Sequence, residues 1–342
     1  MEEEILFHTR TLRRVVRDLR TPAAFLLDTF FAEVDESTSE TIEFHIEKGG
    51  RKMAPFVSPR VAGPVVNQLG YESNTLSPAY IKDKREFQPN RGLRRRIGER
   101  IGGELSPEER IRMAINENMQ DQIERLTRRL EWMAAKAMVE GQYTIAGENY
   151  PERVVDFRRD SSLTVALSGG DRWGEGGKPL NHLEDWAELV EDASGAPVTD
   201  VVMDIKAWRR FHNDEDVRKL LDIRRGDNSD LRLSPEYATV QFKGTIGAFG
   251  IWVYNEKYED DSGSLHKMIP DNTIVMGGPA VEGVRHFGAI QDHDAGMEPM
   301  MWFPKSWLEN DPSVRWLLMQ SAPLVVPYRP DNTLAATVYA EE

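Results

Sequence analysis

The chain has 342 residues, no cysteine and a formal net charge of −14, so disulfide bonds, thiolate nucleophiles and cysteine-ligated metals are excluded. Its length exceeds what one hydrophobic core usually supports, and an overall acidic chain is a poor generic binder of nucleic acid. The charge is regional, because residues 1–144 hold 23 acidic and 23 basic side chains whereas residues 145–342 hold 34 acidic and 20 basic.

The N-terminus does not resemble a secretory leader. Three glutamates follow Met1, whereas a leader begins with a basic segment and continues into an apolar one. The apolar runs of the chain are far shorter than the ~18 residues that cross a bilayer. Together with the missing cysteine, these features predict a protein of the reducing cytoplasm with no membrane partner.

A short basic helix is expected near the N-terminus. Arginines recur at helical spacing while apolar residues share the other side: Arg10, Arg13, Arg14, Arg17 and Arg20 against Leu12, Val15, Val16 and Leu19. Such a basic face is either solvated or binds nucleic acid or an acidic protein surface. The apolar segment Phe25 to Phe31 follows Pro22, and residues 1–35 are interpreted as an arm.

Residues 36–92 predict a long extended excursion. Thr41 to Glu47 alternates apolar and polar residues, which is typical of a strand. Prolines then recur through the stretch, at Pro55, Pro59, Pro64, Pro78 and Pro89. Prolines at this density exclude a helix interior, and long ordered loops usually have a function.

The strongest local pattern predicts one long helix from Ser106 to Gly141. Ser106-Pro107-Glu108-Glu109 is a capping box with proline at the first helical position. An apolar stripe follows: Ile111, Ile115, Met119, Ile123, Leu126, Leu130, Met133 and Ala137. The opposite face carries Arg112, Glu117, Asp121, Glu124, Arg125, Arg128 and Glu131. A stripe of this length predicts a helix lying across a flat sheet or a neighbour, with a coiled coil as the alternative.

Beyond residue 145 the pattern is α+β. A helix capped by Asn181 and Glu184 is expected to end near Gly195, and a strand from Val198 to Met203 leads to Asp204 as the N-cap of a second helix. The further expectations are a short helix near 217–221 ending at Arg224-Arg225-Gly226, a hairpin over 240–254, and returning strands after Arg315. The tetrapeptide Pro-Asp-Asn-Thr, repeated at Pro270 and Pro330, predicts two turns that each precede a strand.

Catalytic motifs are weak. Gly170 to Lys178 is glycine-rich but has Arg172 and Pro179 where a phosphate loop needs glycine and Ser or Thr. His286, Asp292, His293 and Asp294 are the one concentration of potential metal ligands, without an HExxH spacing. A metal-dependent hydrolase built on His286, Asp292 and His293 is therefore kept as a remote alternative. No catalytic residue, cofactor or metal is expected.

Several segments, in order, resemble the major capsid proteins of lambda-like tailed bacteriophages, the capsid protein E family. They are Val57–Gly63, Pro78–Lys82, Gly141–Glu148, Asp222–Leu231, Pro270–Gly277, Gly288–Ala295, Phe303–Trp307 and Gln320–Leu324. Each is short, but their shared order and spacing over about residues 50–326 make the resemblance specific.

The resemblance implies an α+β, HK97-type phage capsid fold. Its parts would be an N-terminal arm (1–35), an extended β-hairpin loop (36–92), a peripheral domain with a long spine helix (93–155), an axial domain (156–296) and a return to the peripheral domain (297–342). In this fold the extended loop lies over a neighbouring subunit.

The resemblance also implies a non-enzymatic head protein of the virion, assembled in the host cytoplasm. Its partners would be itself in pentamers and hexamers, a scaffolding protein, a portal, a decoration protein, and packaged double-stranded DNA contacted non-specifically. A nanocompartment shell of the same fold remains the alternative. Arginine clusters are expected at subunit interfaces, at Arg94, Arg95, Arg96, Arg224 and Arg225.

Overall fold

The computed structural model describes residues 6–19, 21–39, 41–47, 71–87, 105–147, 150–224, 239–260, 262–311 and 313–340. The helices are α1 (Thr9–Asp18), α2 (Phe25–Phe30), α3 (Pro107–Glu140), α4 (Pro179–Ser194), α5 (Ile205–Asn213) and α6 (Glu215–Arg224). The first strands are β1 (Glu33–Glu36), β2 (Ile42–Glu47), β3 (Tyr71–Leu76), β4 (Ile81–Phe87), β5 (Gln142–Gly147), β6 (Tyr150–Asp156), β7 (Thr164–Ala166), β8 (Asp200–Asp204) and β9 (Val240–Ile246). The later strands are β10 (Phe249–Tyr254), β11 (Lys257–Glu259), β12 (Leu265–Lys267), β13 (Thr273–Gly277), β14 (Gly283–Phe287), β15 (Phe303–Asn310), β16 (Ser313–Ser321), β17 (Pro323–Pro327) and β18 (Leu334–Thr337).

Helix α3 begins and ends where the sequence predicts. The Ser106 amide donates to Glu109 Oε2 at 2.7 Å, and the Glu109 amide donates to Ser106 Oγ at 3.2 Å, so the capping box is complete. Gly141 ends the helix with φ +69, a left-handed conformation that glycine adopts without strain. At ~1.5 Å per residue the helix is about 50 Å long. Among the described helices, none is both long and apolar enough to cross a membrane.

The two halves of α3 pack into different hydrophobic clusters. The first half, from Ile115 to Leu126, packs with α1, β4 and β16, while the second half, from Leu130 to Met138, packs with α2, β14 and β17. The helix therefore lies across sheets within the chain, as its long stripe predicts. The coiled-coil alternative is wrong for these residues, because their apolar side chains are buried in the chain's own core.

A six-stranded sheet forms the centre of the second half of the chain. Its order is β7-β18-β13-β8-β10-β9, with β8 parallel to β10 and β7 parallel to β18. One face, including Val202 and Val275, packs toward α3. The other face, including Val201, Ile274 and Met276, packs under α4, α5 and α6. Because successive side chains along a strand point to opposite faces, this one sheet contributes to two separate hydrophobic cores.

The repeated turn tetrapeptide marks two strands that pair with each other. Strand β13 begins at Thr273 and β18 follows Thr333, and the two are antiparallel with Met276 opposite Leu334. The predicted hairpin over 240–254 is also present as β9 and β10. Asp204 caps α5, since its carboxylate accepts from the Lys206 amide at 2.8 Å.

The remaining strands form smaller sheets. Strand β16 pairs with both β15 and β4, and β14 pairs with β17 and, in parallel, with the N-terminal strand β1. Strands β2 and β3 pair antiparallel, and among the described strands neither pairs with any other. The pairs β5–β6 and β11–β12 are likewise two-stranded.

Two expectations are wrong in detail. Helix α4 begins at Pro179 rather than at an Asn181 cap, because proline's fixed φ suits the first helical position. Glu131, expected on the polar face of α3, is buried with 4% of its surface exposed. The second half of α3 is covered on more than one side, so a helical wheel centred on the apolar stripe misplaces this residue.

Candidate assembly site

The arginines predicted at interfaces fall largely outside the structural description. Arg94, Arg95, Arg96 and Arg225 lie outside the described residues. Arg224 is the last residue of α6, and its side chain lies outside the description as well. Their pairing with neighbouring subunits stays a prediction.

The residues of the metal-hydrolase alternative do not form a metal site. His286 Nδ1 lies 2.9 Å from Asp35 Oδ2, and Tyr328 Oη lies 3.2 Å from His286 Nε2, so both ring nitrogens have partners. Asp292 accepts from Lys305 Nζ at 2.9 Å and from Gln320 Nε2 at 3.0 Å. Within the described ranges, no group of three or more metal-ligating side chains could hold an ion.

His286 instead ties the N-terminal strand to the body of the chain. It lies directly opposite Asp35 in the parallel β1–β14 pair. Burial lowers the pKa of His286, against the opposing effect of the Asp35 carboxylate. The imidazole of His286 therefore joins β1 to β14 and to Tyr328, which directly follows β17.

The buried carboxylate of Glu131 joins three elements of the fold. Its Oε1 accepts from the Leu26 amide at 2.9 Å and from the Tyr254 hydroxyl at 2.8 Å, and its Oε2 accepts from the Leu27 amide at 3.0 Å. Leu26 and Leu27 open the short helix α2, whose first amides have no partner within the helix. Glu131 thus holds the N-terminal segment and β10 against the middle of α3.

Burial raises the pKa of Glu131 to about 7, although the two amides and the Tyr254 hydroxyl stabilise the charged form. The carboxylate of Asp28 acts in the same direction as burial. Arg285 is the nearby cation, with Nη1 lying 3.8 Å from Asp28 and Nη2 donating to the Ala32 carbonyl at 3.1 Å. Ionisation of Glu131 is therefore linked to how the segment around α2 is held.

Arg159 forms a second junction, at the end of α3. Its guanidinium donates to the carbonyl oxygens of Met138 and Val139, which belong to the last turn of the helix. It also donates to Thr164 Oγ1 at 2.8 Å and Thr333 Oγ1 at 3.3 Å, on the segments that carry β7 and precede β18. Burial lowers the pKa of Arg159 to about 10. A cation placed at a helix C-terminus is stabilised by the helix dipole, so Arg159 fixes α3 to the six-stranded sheet.

These junctions bind segments of the chain to one another and bring no nucleophile and base together. Sequence reasoning missed Glu131 and Arg159 as important residues. One signal was available for Glu131, because it recurs at helical spacing with Thr127, Ala134, Ala135 and Met138, which are small or apolar and buried. A glutamate inside such a stripe indicates a buried partner.

Comparison with known proteins identifies the family. The sequence profile described as phage major capsid protein E matches residues 8–338. The major capsid protein of Escherichia phage lambda is 34% identical over 312 residues, which cover 90% of this chain and 91% of that protein. The P21 prophage-derived major head protein of Escherichia coli O6:H1 is 30% identical over 346 residues, covering 97% and 99%.

The fold is that of a solved capsid protein. The crystal structure of a prophage capsid protein from Escherichia coli CFT073 superposes with a TM-score of 0.77 at 24% identity, covering 97% of this chain and 99% of that one. The HK97-type capsid fold expected from the sequence is confirmed, and the hydrolase and nanocompartment alternatives give way to a structural component of the virion. This chain belongs to the phage major capsid protein E family, as a major head protein of the lambda-like type.

Proposed function

We propose that this chain builds an icosahedral head of pentamers and hexamers around double-stranded DNA. A scaffolding protein, a portal and a decoration protein would be its partners, and assembly would take place in the host cytoplasm. The supporting observation is the hairpin of β2 and β3, which among the described strands pair with each other and with nothing else. The pair Ile42 and Leu76 at one end of the ribbon packs on the main core. A two-stranded ribbon is otherwise marginal in water, so a neighbouring copy that covers its remainder would stabilise it.

The domains proposed here have the boundaries expected from the sequence. Residues 1–35 would be the arm, 36–92 the extended loop, 93–155 the peripheral domain, 156–296 the axial domain and 297–342 the return. Strand β4 pairs with β16, and β18 with β13. The last segment, 297–342, would therefore pair with strands of both the extended loop and the axial domain rather than fold as a separate unit.

The arginine clusters would act between subunits. Arg94, Arg95 and Arg96, with Arg224 and Arg225, would pair with carboxylates of neighbouring copies, since guanidinium groups form bidentate pairs with carboxylates. The acidic excess of residues 145–342 would contribute to the inner or axial surface. An acidic lining repels phosphates and lets DNA slide, while a few arginines contact the backbone non-specifically.

The test is co-expression of the chain with the products of its neighbouring head genes, followed by purification of particles. We expect particles that contain this chain as the main protein, with portal and scaffold identified by mass spectrometry. We also expect nuclease-resistant DNA once packaging proteins are supplied. Particles that form equally well without any of the neighbouring gene products would contradict the proposed partners.

A further inference from the structure

Helix α1 presents a basic face to a surface cleft, whose lining within the described chain includes one acidic residue, Asp294. Its apolar side is buried, with Leu12 fully enclosed against the first half of α3, β4 and β16. Its other side exposes Arg10, Arg13, Arg14 and Arg17. Among the described residues, none of these four arginines takes part in an ion pair. Because the helix is already fixed on the core, a partner that binds this stripe would order the arginine side chains but not the helix backbone.

Helix α4 presents an acidic face, and it packs on a different hydrophobic cluster from α1. Its apolar side packs against the six-stranded sheet through Leu183, Trp186 and Val190. Its solvent side exposes Glu184, Asp185, Glu188 and Glu191, and beside them Leu189 with 40% of its surface exposed. Within the described part of the chain, these four carboxylates make no ion pair.

The two faces match in spacing as well as in charge. Arg10, Arg14 and Arg17 are separated by four and three residues, and so are Glu184, Glu188 and Glu191. Both triads therefore lie on one side of a helix and span about 10 Å at ~1.5 Å per residue. The two helices rest on different hydrophobic clusters. Each helix is held in place by its buried apolar side and presents its charged side outward.

We propose that, in the assembled shell, the basic face of α1 docks on the acidic face of α4 of a neighbouring copy. The proposal rests on the self-assembly of this chain and names one of its contacts. A copy of the chain is the partner favoured by the observations, because it supplies the complementary face and is present at high local concentration. Complementary charge steers encounter and fixes register, and like-charge contacts exclude wrong ones. Duplex DNA would fit the basic face but would leave the acidic face of α4 without a partner.

The absence of cysteine makes a direct test available. A chain carrying R14C and E188C is assembled and oxidised, with R14C alone, E188C alone and an R128C/E188C pair as controls. Arg128 is exposed on α3 and belongs to neither of the two charged faces. We expect disulfide-linked multimers from R14C/E188C, at least ~10-fold more than from any control. Disulfides require Cα atoms within about 7 Å, so the result reports contact.

A charge exchange provides the second measurement. The α1 variant R10E/R14E/R17E and the α4 variant E184R/E188R/E191R should each weaken the contact about tenfold, which is ~1.4 kcal/mol. Their combination should recover particle yield to within about twofold, because opposite charges face each other again. The control R128E/R209E/R218E changes net charge as the α1 variant does, on arginines exposed elsewhere, and should assemble normally.

The outcomes separate the contact from the assembly. If the unmodified chain forms particles but particles of R14C/E188C give no more cross-linked multimers than the controls, the docking alone is overturned. An exchanged variant that assembles no better than either single triad would also overturn the docking alone. An α1 variant that forms normal shells and loses bound DNA would overturn it in favour of a nucleic-acid surface. If the unmodified chain formed no particles with its scaffold, the self-assembly itself would be contradicted.

Discussion

The hydroxyl of Tyr254 donates a 2.8 Å hydrogen bond to the buried carboxylate of Glu131, across 123 positions of sequence. The same carboxylate accepts from the first amides of α2. One side chain in the middle of α3 therefore joins the N-terminal segment to the six-stranded sheet.

Glu131 predicts that stability falls as pH rises from about 4.5 to about 7. Its folded pKa of about 7 lies above the ordinary 4.5, so the folded chain binds the proton more tightly than the unfolded chain does. Full stabilisation is present below pH 4.5 and is lost through this window, by about 3 kcal/mol at ~1.4 kcal/mol per pKa unit. Denaturant unfolding at several pH values should show this slope, and E131Q should lack it. An unchanged slope in E131Q would contradict the assignment.

The Y254F variant separates the hydrogen bond from the charge. Removing the hydroxyl takes one donor from the carboxylate and should destabilise the fold by about 1–3 kcal/mol at pH 8, where Glu131 is ionised. The cost should shrink at pH 5, because the neutral acid depends less on donors. Hydrogen exchange of the amides of Leu26 and Leu27 should increase in both Y254F and E131Q. Protection that stays at the unmodified level would show that α2 is held by packing alone.

Arg159 predicts a loss of stability at the end of α3. Replacing it with methionine keeps most of the volume but leaves the Met138 and Val139 carbonyls without their donor. The expected cost is about 3 kcal/mol, since a buried charged partner is lost together with a helix C-cap. Thermal unfolding of R159M measures it, with exposed R128M as the matched control. A change in R159M no larger than in R128M would contradict the role.

Local signals explain how much of the fold was predictable. Three helix ends depend only on residues close in sequence, and the predictions for all three are confirmed: the capping box at Ser106, the end of α3 at Gly141 and the N-cap at Asp204. The hairpin of β9 and β10 was predicted for the same reason. The start of α4 was missed because Pro179 and Asn181 both offer plausible first turns, and the helix begins at the proline, whose fixed φ suits the first helical position.

Loss of the capping box at Ser106 is expected to lower the stability of the fold moderately. S106A removes the oxygen that accepts from the Glu109 amide, and N-cap substitutions of this kind cost about 1 kcal/mol. S106D should keep the acceptor and stay near the unmodified stability. Denaturant midpoints of the two variants give the comparison. Equal stability of S106A and the unmodified chain would contradict the contribution of this cap.

Replacement of Arg94, Arg95 and Arg96 is expected to impair assembly. R94A/R95A/R96A should reduce particle yield without reducing DNA retention in those heads that form, because these side chains are proposed to pair with neighbouring subunits. Particle counts by electron microscopy and DNA content by absorbance give the two readouts. Normal heads from the triple variant would refute the pairing.

The junctions were less predictable than the elements. Glu131 meets Leu26 and Tyr254, which are 105 and 123 positions away, and Arg159 meets Thr333 at a separation of 174. Periodicity describes one helix at a time and carries no information about which remote group fills a buried position. The family resemblance supplied the architecture, while these contacts required coordinates.

The most direct test is electron microscopy of the purified chain after co-expression with the proposed scaffolding protein. We predict closed icosahedral shells whose subunits show the fold described here, with the β2–β3 hairpin covered by a neighbouring copy. Compact monomers under every assembly condition, with scaffold present, would contradict the account.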